Sequence, residues 1–425
     1  MDVNKREREM KTKPFMKAAG LAITLAAVAG VTAAQAEESI RFGLCFDVSK
    51  SYTFVSPQVA QGAQDLAMHV NANGGIEGHP VKIIVRDTGN EPQRGVECYE
   101  QMKREGVFMF YFLSTPVTNA VLPRATKDRN ILMQSFVGRG DAVDGEVFDW
   151  VFPVGPTYWQ QAANAVAFIK GQLGGNLGKA KIGFIYLDYP FGQEPIATLK
   201  ALAEKEGFAL ELYPVPLPGS DQAGAWSKIR RDNPDYVISW LLAGGHVVAS
   251  KEMRRNRFPI DRYLTSNWLN EVDIVNIGAE EAKGILRSTN VAGGQDVAIV
   301  KTMLETYYAN GKGSGPENLV RDVYYNTGLA IYSTAFEAAR MAIKEKGWPL
   351  TPETMKTAYE ALSEYDANGL MAPVTVTPTD HGGGGKTRIE QWNGKTWVPL
   401  TDWNADYLDV VWEEVKHSSK TFSVK

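Results

Sequence analysis

The chain has 425 residues, 44% hydrophobic, 22% charged and 10% aromatic, the ordinary balance of soluble globular protein, with length enough for two lobes or for two to three average domains. A formal charge of −4 and a pI near 5.9 leave no basic surface for nucleic acid. Five His without metal-ligand spacing and only two Cys exclude the usual zinc sites, and 40 Gly and 21 Pro scattered along the chain exclude a collagen-like or low-complexity build.

In chain order, Lys11, Lys13 and Lys17 precede an uncharged run over 18–33, then Ala34-Gln35-Ala36 and the polar Glu37-Glu38. This is the pattern of a secretory signal peptide over 1–36, its apolar run falling short of the roughly 20 residues a membrane span needs. No Cys sits just after the cleavage site, so a lipid anchor is not expected. The mature product is expected to be soluble, acidic and exported to the periplasm.

From residue 40 the pattern is strand then helix, repeated. Strands are predicted at 40–46, 81–85, 107–113 and 131–133, and helices at 57–73, 93–105 and 116–128. The apolar run 107–113 suits a strand buried on both faces, and the alternation predicts a parallel sheet with helices on both sides. The theme restarts after Phe152-Pro153-Val154-Gly155-Pro156, a Pro/Gly-marked crossing. Helices are then predicted at 156–173, 193–206, 223–231 and 246–256, and strands at 180–186, 209–213 and 235–240. A strand near 284–288, a long helix over 321–346, and a hairpin region with strands near 373–376 and 387–392 complete the chain. Asn393-Gly394 is a hairpin turn signal.

Chemical motifs are mostly absent. Asp380-His381-Gly382-Gly383-Gly384-Gly385-Lys386-Thr387 nearly matches a phosphate loop, but Asp380 replaces the first Gly and a strand pattern follows instead of a helix, so it reads as a flexible turn. Nothing pairs a nucleophile with a base, so no enzyme, cofactor or metal is expected. Cys45 closes the first strand and Cys98 lies on the second helix, which a right-handed crossover carries back over that strand. The two thiols either form a disulfide or stay apart as small buried residues.

Several segments together resemble the periplasmic solute-binding proteins of the branched-chain amino-acid type, subunits of ABC importers. They are the strand at 40–46, the stretch Asn71-Ala72-Asn73-Gly74-Gly75-Ile76-Glu77-Gly78 followed by a strand ending in Asp87, Asp188-Tyr189-Pro190-Phe191-Gly192, Asp235-Tyr236-Val237 and Ala282-Lys283-Gly284-Ile285. The resemblance covers nearly all of the mature chain. It implies two doubly wound α/β lobes joined by three crossings, near Gly155, Asn290 and Asn368, with ligand in the cleft between. Lobe one would be 37–155 plus 290–368, and lobe two 156–289 plus 369–425. It further implies hinge closure around a small carboxylate, delivery to an inner-membrane ABC permease, and a monomer. A sensory subunit reporting to a membrane receptor is the alternative with the same fold.

Carried over residue by residue, the resemblance puts the ligand carboxylate on Ser114 and Thr115, before a helix whose amino terminus suits an anion. The loop Gln134-Ser135-Phe136-Val137-Gly138-Arg139 would add Ser135 and Phe136, with Arg139 placed to grip a carboxylate. Tyr189, Phe191, Trp240 and Trp268 would enclose an apolar or aromatic body, and Tyr52 and Phe54 would close the mouth. Where amino-acid binders carry an acid, this chain has Asn267 within Thr265-Ser266-Asn267-Trp268. An ammonium buried without a carboxylate is costly, which weighs against an amino-acid ligand unless Asp188 or Glu271 substitutes.

Overall fold

A computed structural model describes residues 39–294 and 297–422; the segment 1–36, read as a signal peptide, lies outside the described residues. The first part of the chain runs Ile40–Phe46 (β1), Ser56–Ala72 (α1), Val81–Asp87 (β2), Pro92–Arg104 (α2), Met109–Tyr111 (β3), Thr115–Asp128 (α3), Ile131–Met133 (β4) and Val151–Phe152 (β5). These strands make a five-stranded parallel sheet in the order β2-β1-β3-β4-β5, with Phe42 opposite both Ile83 and Met109. Strand β1 buries every side chain except that of Arg41, as a central strand covered on both faces must. Prolines sit in the first turns of α1, α2 and α3, where a missing N–H costs nothing.

The second part runs Tyr158–Gln172 (α4), Lys181–Leu187 (β6), Pro190–Gln193 (α5), Ile196–Glu206 (α6), Ala209–Val215 (β7), Ala223–Asp232 (α7), Tyr236–Trp240 (β8), Gly244–Asn256 (α8), Tyr263–Thr265 (β9), Glu271–Ile277 (α9) and Leu286–Thr289 (β10). After Ala298–Thr306 (α10), Val323–Lys346 (α11) and Pro352–Tyr359 (α12) come Arg388–Trp392 (β11), Trp397–Pro399 (β12) and Leu408–Ser419 (α13). The second sheet has seven strands in the order β12-β11-β10-β9-β8-β6-β7, with β11 and β12 forming an antiparallel hairpin that has Gly394 at φ 101°. The architecture is the two-lobed α/β fold with parallel sheets that the pattern predicts.

Helix α11 covers the first sheet although it follows β6 to β10 of the second. Phe42 packs against Tyr332 and Phe336 at ring distances of 5.6 and 5.3 Å. The chain therefore passes between the sheets after β5, returns after β10, and passes again before β11. The last passage is not near Asn368. Residues 370–383 still lie against the first sheet: His381 stacks on Phe152 at 4.2 Å and donates its N–H to Val143 O. Gly155 N–H donates to Gly382 O, so two passages run side by side, and Gly383, Gly384 and Gly385 all have positive φ. The glycine run thus serves as the third passage, in a backbone conformation only glycine adopts cheaply.

Two further differences from the sequence reading are local. The strand predicted near 373–376 is a single bridge between Val374 and Tyr365, too short to join a sheet. The tail holds, beside its hairpin, the helix α13, whose Val410, Val411 and Val415 are buried. The Sγ atoms of Cys45 and Cys98 are bonded, with Cα atoms 6.1 Å apart.

Candidate functional site

The site lies where the strands of both sheets end. Loops leaving the carboxyl ends of β1, β3, β4, β6, β9 and β10 carry Tyr52, Ser114, Ser135, Tyr189, Asn267 and Asn290, Trp240 is the last residue of β8, and open α/β sheets bind ligands at such ends.

On the first-sheet side, Ser114 and Thr115 are buried at the amino terminus of α3. No side chain caps that terminus, and Ser114 Oγ donates to Asn90 Oδ1 at 2.6 Å. Ser135 is held by its backbone, its carbonyl accepting from Tyr111 OH at 2.8 Å. Phe136 has φ 61° and packs its ring beside Gly155, where a Cβ would come within 2.6 Å.

Arg139 differs from expectation. Its guanidinium pairs with Asp141 at 3.0 Å and lies over the rings of Phe148 and Phe422 at 5.0 and 4.9 Å. A guanidinium held by a buried carboxylate between two rings is not free to grip a ligand, so the expected role is corrected. The backbone of this loop is engaged as well. Arg139 N–H donates to Glu194 Oε1 at 2.7 Å, Gly140 N–H to Oε2 at 3.3 Å, and Trp159 Nε1–H to Oε2 at 3.0 Å. Burial pushes the Glu194 carboxyl up to about 7, against these three donors, which lower it.

An aromatic wall joins the two sides. Tyr158, at the start of α4, accepts a hydrogen bond from Trp268 Nε1 at 2.9 Å and meets Phe191 and Trp240 edge-on at 5.3 and 6.0 Å. Trp268 leans on Tyr324 at 5.5 Å, Tyr324 on Phe54 at 6.2 Å, and Phe54 stacks on Tyr52 at 6.0 Å. Tyr189, half-buried, lies near enough to Tyr52 to help raise its hydroxyl's pKa, though burial is the larger cause. Trp240 and Phe191 are fully enclosed. The sequence reading thus named most of the wall but missed Tyr158 and Tyr324, which sit on helices that read as plain core.

Behind Trp268 lies an acidic group. Asp322 accepts from Asn270 Nδ2 at 2.7 Å and from Tyr324 N–H at 2.8 Å. Glu271 accepts from Val323 N–H at 2.9 Å and pairs with the buried Arg287 at 3.5 Å, and Arg287 pairs with Glu390 at 3.0 Å. Burial pushes Asp273 up to about 7 and Asp322 well above the usual carboxylate range. Asp188, the other acid considered, is exposed and accepts from Gln193. Asn267 Oδ1, Asn290 Oδ1 and Nδ2, Gln134 Oε1, Trp240 Nε1 and the Tyr324 hydroxyl are buried without a partner among the described residues. No cluster of three or more His, Cys, Asp or Glu side chains among those residues is placed to hold a metal.

Residues 39–396 match the family described as periplasmic binding protein. The chain belongs to that family. A solved structure from the Pseudomonas fluorescens group, described as an ABC transporter permease, superposes on this binding protein with TM-score 0.83 at 31% identity, covering 90% of this chain and 96% of its own. A branched-chain amino acid ABC transporter structure from Thermus thermophilus, with bound valine, shares the fold with TM-score 0.79 at 19% identity, covering 90% of this chain and 99% of its own. The Leu/Ile/Val-binding protein homolog 8 of Brucella suis is 25% identical over 54% of this chain, a match spanning 57% of that relative's length. No helix among the described residues is long and apolar enough to cross a membrane.

Proposed function

We propose that this binding protein is the periplasmic, signal-peptide-exported substrate-binding subunit of an ABC importer, and that it captures a small organic carboxylate with a hydrophobic or aromatic body, an amino acid included. The observation that carries the reading is the pairing of an uncapped α3 terminus with an aromatic wall built from both sheets. Ser114, Thr115 and Ser135 hold the carboxylate, since helix N–H groups and hydroxyls favour an anion without a counter-charge. Tyr158, Tyr189, Phe191, Trp240 and Trp268 enclose the apolar part, and Asn267 and Asn290 meet its remaining polar atoms. Buried polar atoms left without partners are costly, so a ligand that completes them gains affinity. Lobe one is taken as 37–155 plus 290–383, lobe two as 156–289 plus 384–425, and ligand bridging the cleft favours the closed arrangement that a permease recognises.

The test is a thermal-shift screen of refolded, ligand-stripped protein against amino acids and their matched deaminated and aromatic acids. A true ligand at 100-fold excess over Kd stabilises by about 2.7 kcal/mol. For the acid that stabilises, Ser114→Ala and Thr115→Ala together should weaken binding roughly tenfold, about 1.4 kcal/mol. Unchanged affinity in that double variant would remove the carboxylate assignment.

A further inference from the structure

Loops that bind anions do so with successive backbone N–H groups turned to one side, one residue being in the left-handed region. Residues 138–140 have that form: Arg139 has φ 84°, and its N–H and that of Gly140 converge on one point. The anion there belongs to the protein itself. It is the carboxylate of Glu194, which follows α5 on the second-sheet side, whereas the N–H groups follow β4 on the first.

The surroundings are shaped for this contact. At Gly138 a Cβ would stand 3.1 Å from Glu194 Cγ and 2.7 Å from the Thr115 side chain. At Gly140 it would stand 2.4 Å from the Trp159 ring, which itself donates to the same carboxylate. Two glycines therefore let the first-sheet backbone approach the second-sheet side closely enough to bond. The charged and titratable groups near the carboxylate are Asp141, the Arg139 guanidinium that Asp141 holds, and the Tyr158 hydroxyl of the aromatic wall.

We propose that Glu194 is the latch of the closed form: its carboxylate, gripped by the Arg139 and Gly140 N–H groups, fastens the second lobe to the first beside the ligand cleft. The latch rests on the reading of two closing lobes and adds a fastening that needs no ligand. It acts on lobe opening through a contact at the rim, so Glu194 is a positioning residue and does not itself touch ligand. Loss of the latch leaves the ligand-facing side chains in place and shifts the lobes toward opening, which should weaken binding chiefly by speeding release.

The experiment uses the mature protein without added ligand, as wild type, Glu194→Ala and Glu194→Gln. Hydrogen exchange is read on the peptide containing the 139 and 140 amides, and small-angle scattering on the same samples reports lobe separation. Near-ultraviolet circular dichroism confirms native packing, and the isosteric Gln variant serves if Ala fails to fold. The expected result is protection of the two amides in wild type, at least tenfold faster exchange in both variants, and a larger radius of gyration in both. Equal exchange in wild type and variants would overturn the latch. So would faster exchange with unchanged scattering, which would mark Glu194 as a staple local to the loop. Because no ligand enters, a negative result here is separate from failure of the ligand screen, which would bear on the carboxylate site alone.

Discussion

Asp273 sits in α9 with 4% of its surface exposed, and one of its oxygens has no partner among the described residues. Burial, and to a smaller degree the neighbouring Glu271, pushes its carboxyl from 3.8 up to about 7. The folded protein therefore holds a proton on Asp273 that the unfolded chain has already released. The stability this group contributes is fully present below about pH 4 and is lost as pH rises to about 7, up to about 4 kcal/mol over that window. Asp273→Asn should flatten that part of the stability curve, read as urea midpoints at pH 5 and pH 8, with the variant the more stable of the two at pH 8. An unchanged slope would place the proton elsewhere. The Cys45–Cys98 bond closes a separation of 53 residues, for which the chain-entropy argument gives about 4 kcal/mol. Cys98→Ser should lower the melting temperature of the oxidised protein to that of reduced wild type. The sequence left this pairing open because a crossover fixes which elements face each other, while bonding depends on side-chain placement within an ångström or two.

Helices α1 and α11 approach more closely than their sequences suggest. A Cβ on Gly328 would lie 2.3 Å from Val59 O, and one on Gly62 would lie 2.3 Å from Tyr325 O. Helix propensity alone says that Gly328→Ala, in the second turn of a 24-residue helix, should stabilise. The contact reverses the sign: a methyl group against a carbonyl must push the helices apart, costing about 1–3 kcal/mol. Thermal melting of Gly328→Ala checks this, and a raised midpoint would mean that the helices give way freely. At this scale the long, periodic elements were legible: 57–73 and 321–346 are α1 and α11 within a few residues. Some short ones, such as β4 at 131–133, were legible too, but others were not. Strands β5 and β9 have two and three residues, too few for a period to show. Helix α13 was missed because the β-branched pair Val410-Val411 near its start favours strand as readily as helix.

At the scale of the molecule, the repeated α/β units and the resemblance gave the two lobes, and the Pro/Gly crossing at 153–156 gave the first passage. The third passage was displaced because a glycine run in a phosphate-loop look-alike reads as a turn, whereas the stacking of His381 on Phe152 and its bond to Val143 show which sheet it has left. The site was legible where it rests on strand ends, and illegible where it depends on groups that meet from opposite sides: Trp268 with Tyr324, and Glu194 with the Arg139 backbone. Helix α13 adds a link of the same kind. It pairs Asp409 with Lys205 of α6, while Lys416, Ser418 and Ser419 bond to Asp144 and Asp141 below the first sheet. Replacing Ser418 and Ser419 together by Ala should speed hydrogen exchange at 140–144 several-fold and leave the amides of β6–β8 unchanged, whereas uniform acceleration would mean a general loss of stability.

The position of α11 also bears on how the protein can be made. Strands β1 to β5 emerge early in synthesis, but the helix that covers Phe42 comes only after β6 to β10. Neither lobe is a contiguous stretch of chain, so a partly synthesised molecule holds no finished unit that could fold and stay folded. On the proposed export of the unfolded chain, this order is protective: the leading end cannot set into native structure before α11 has followed it.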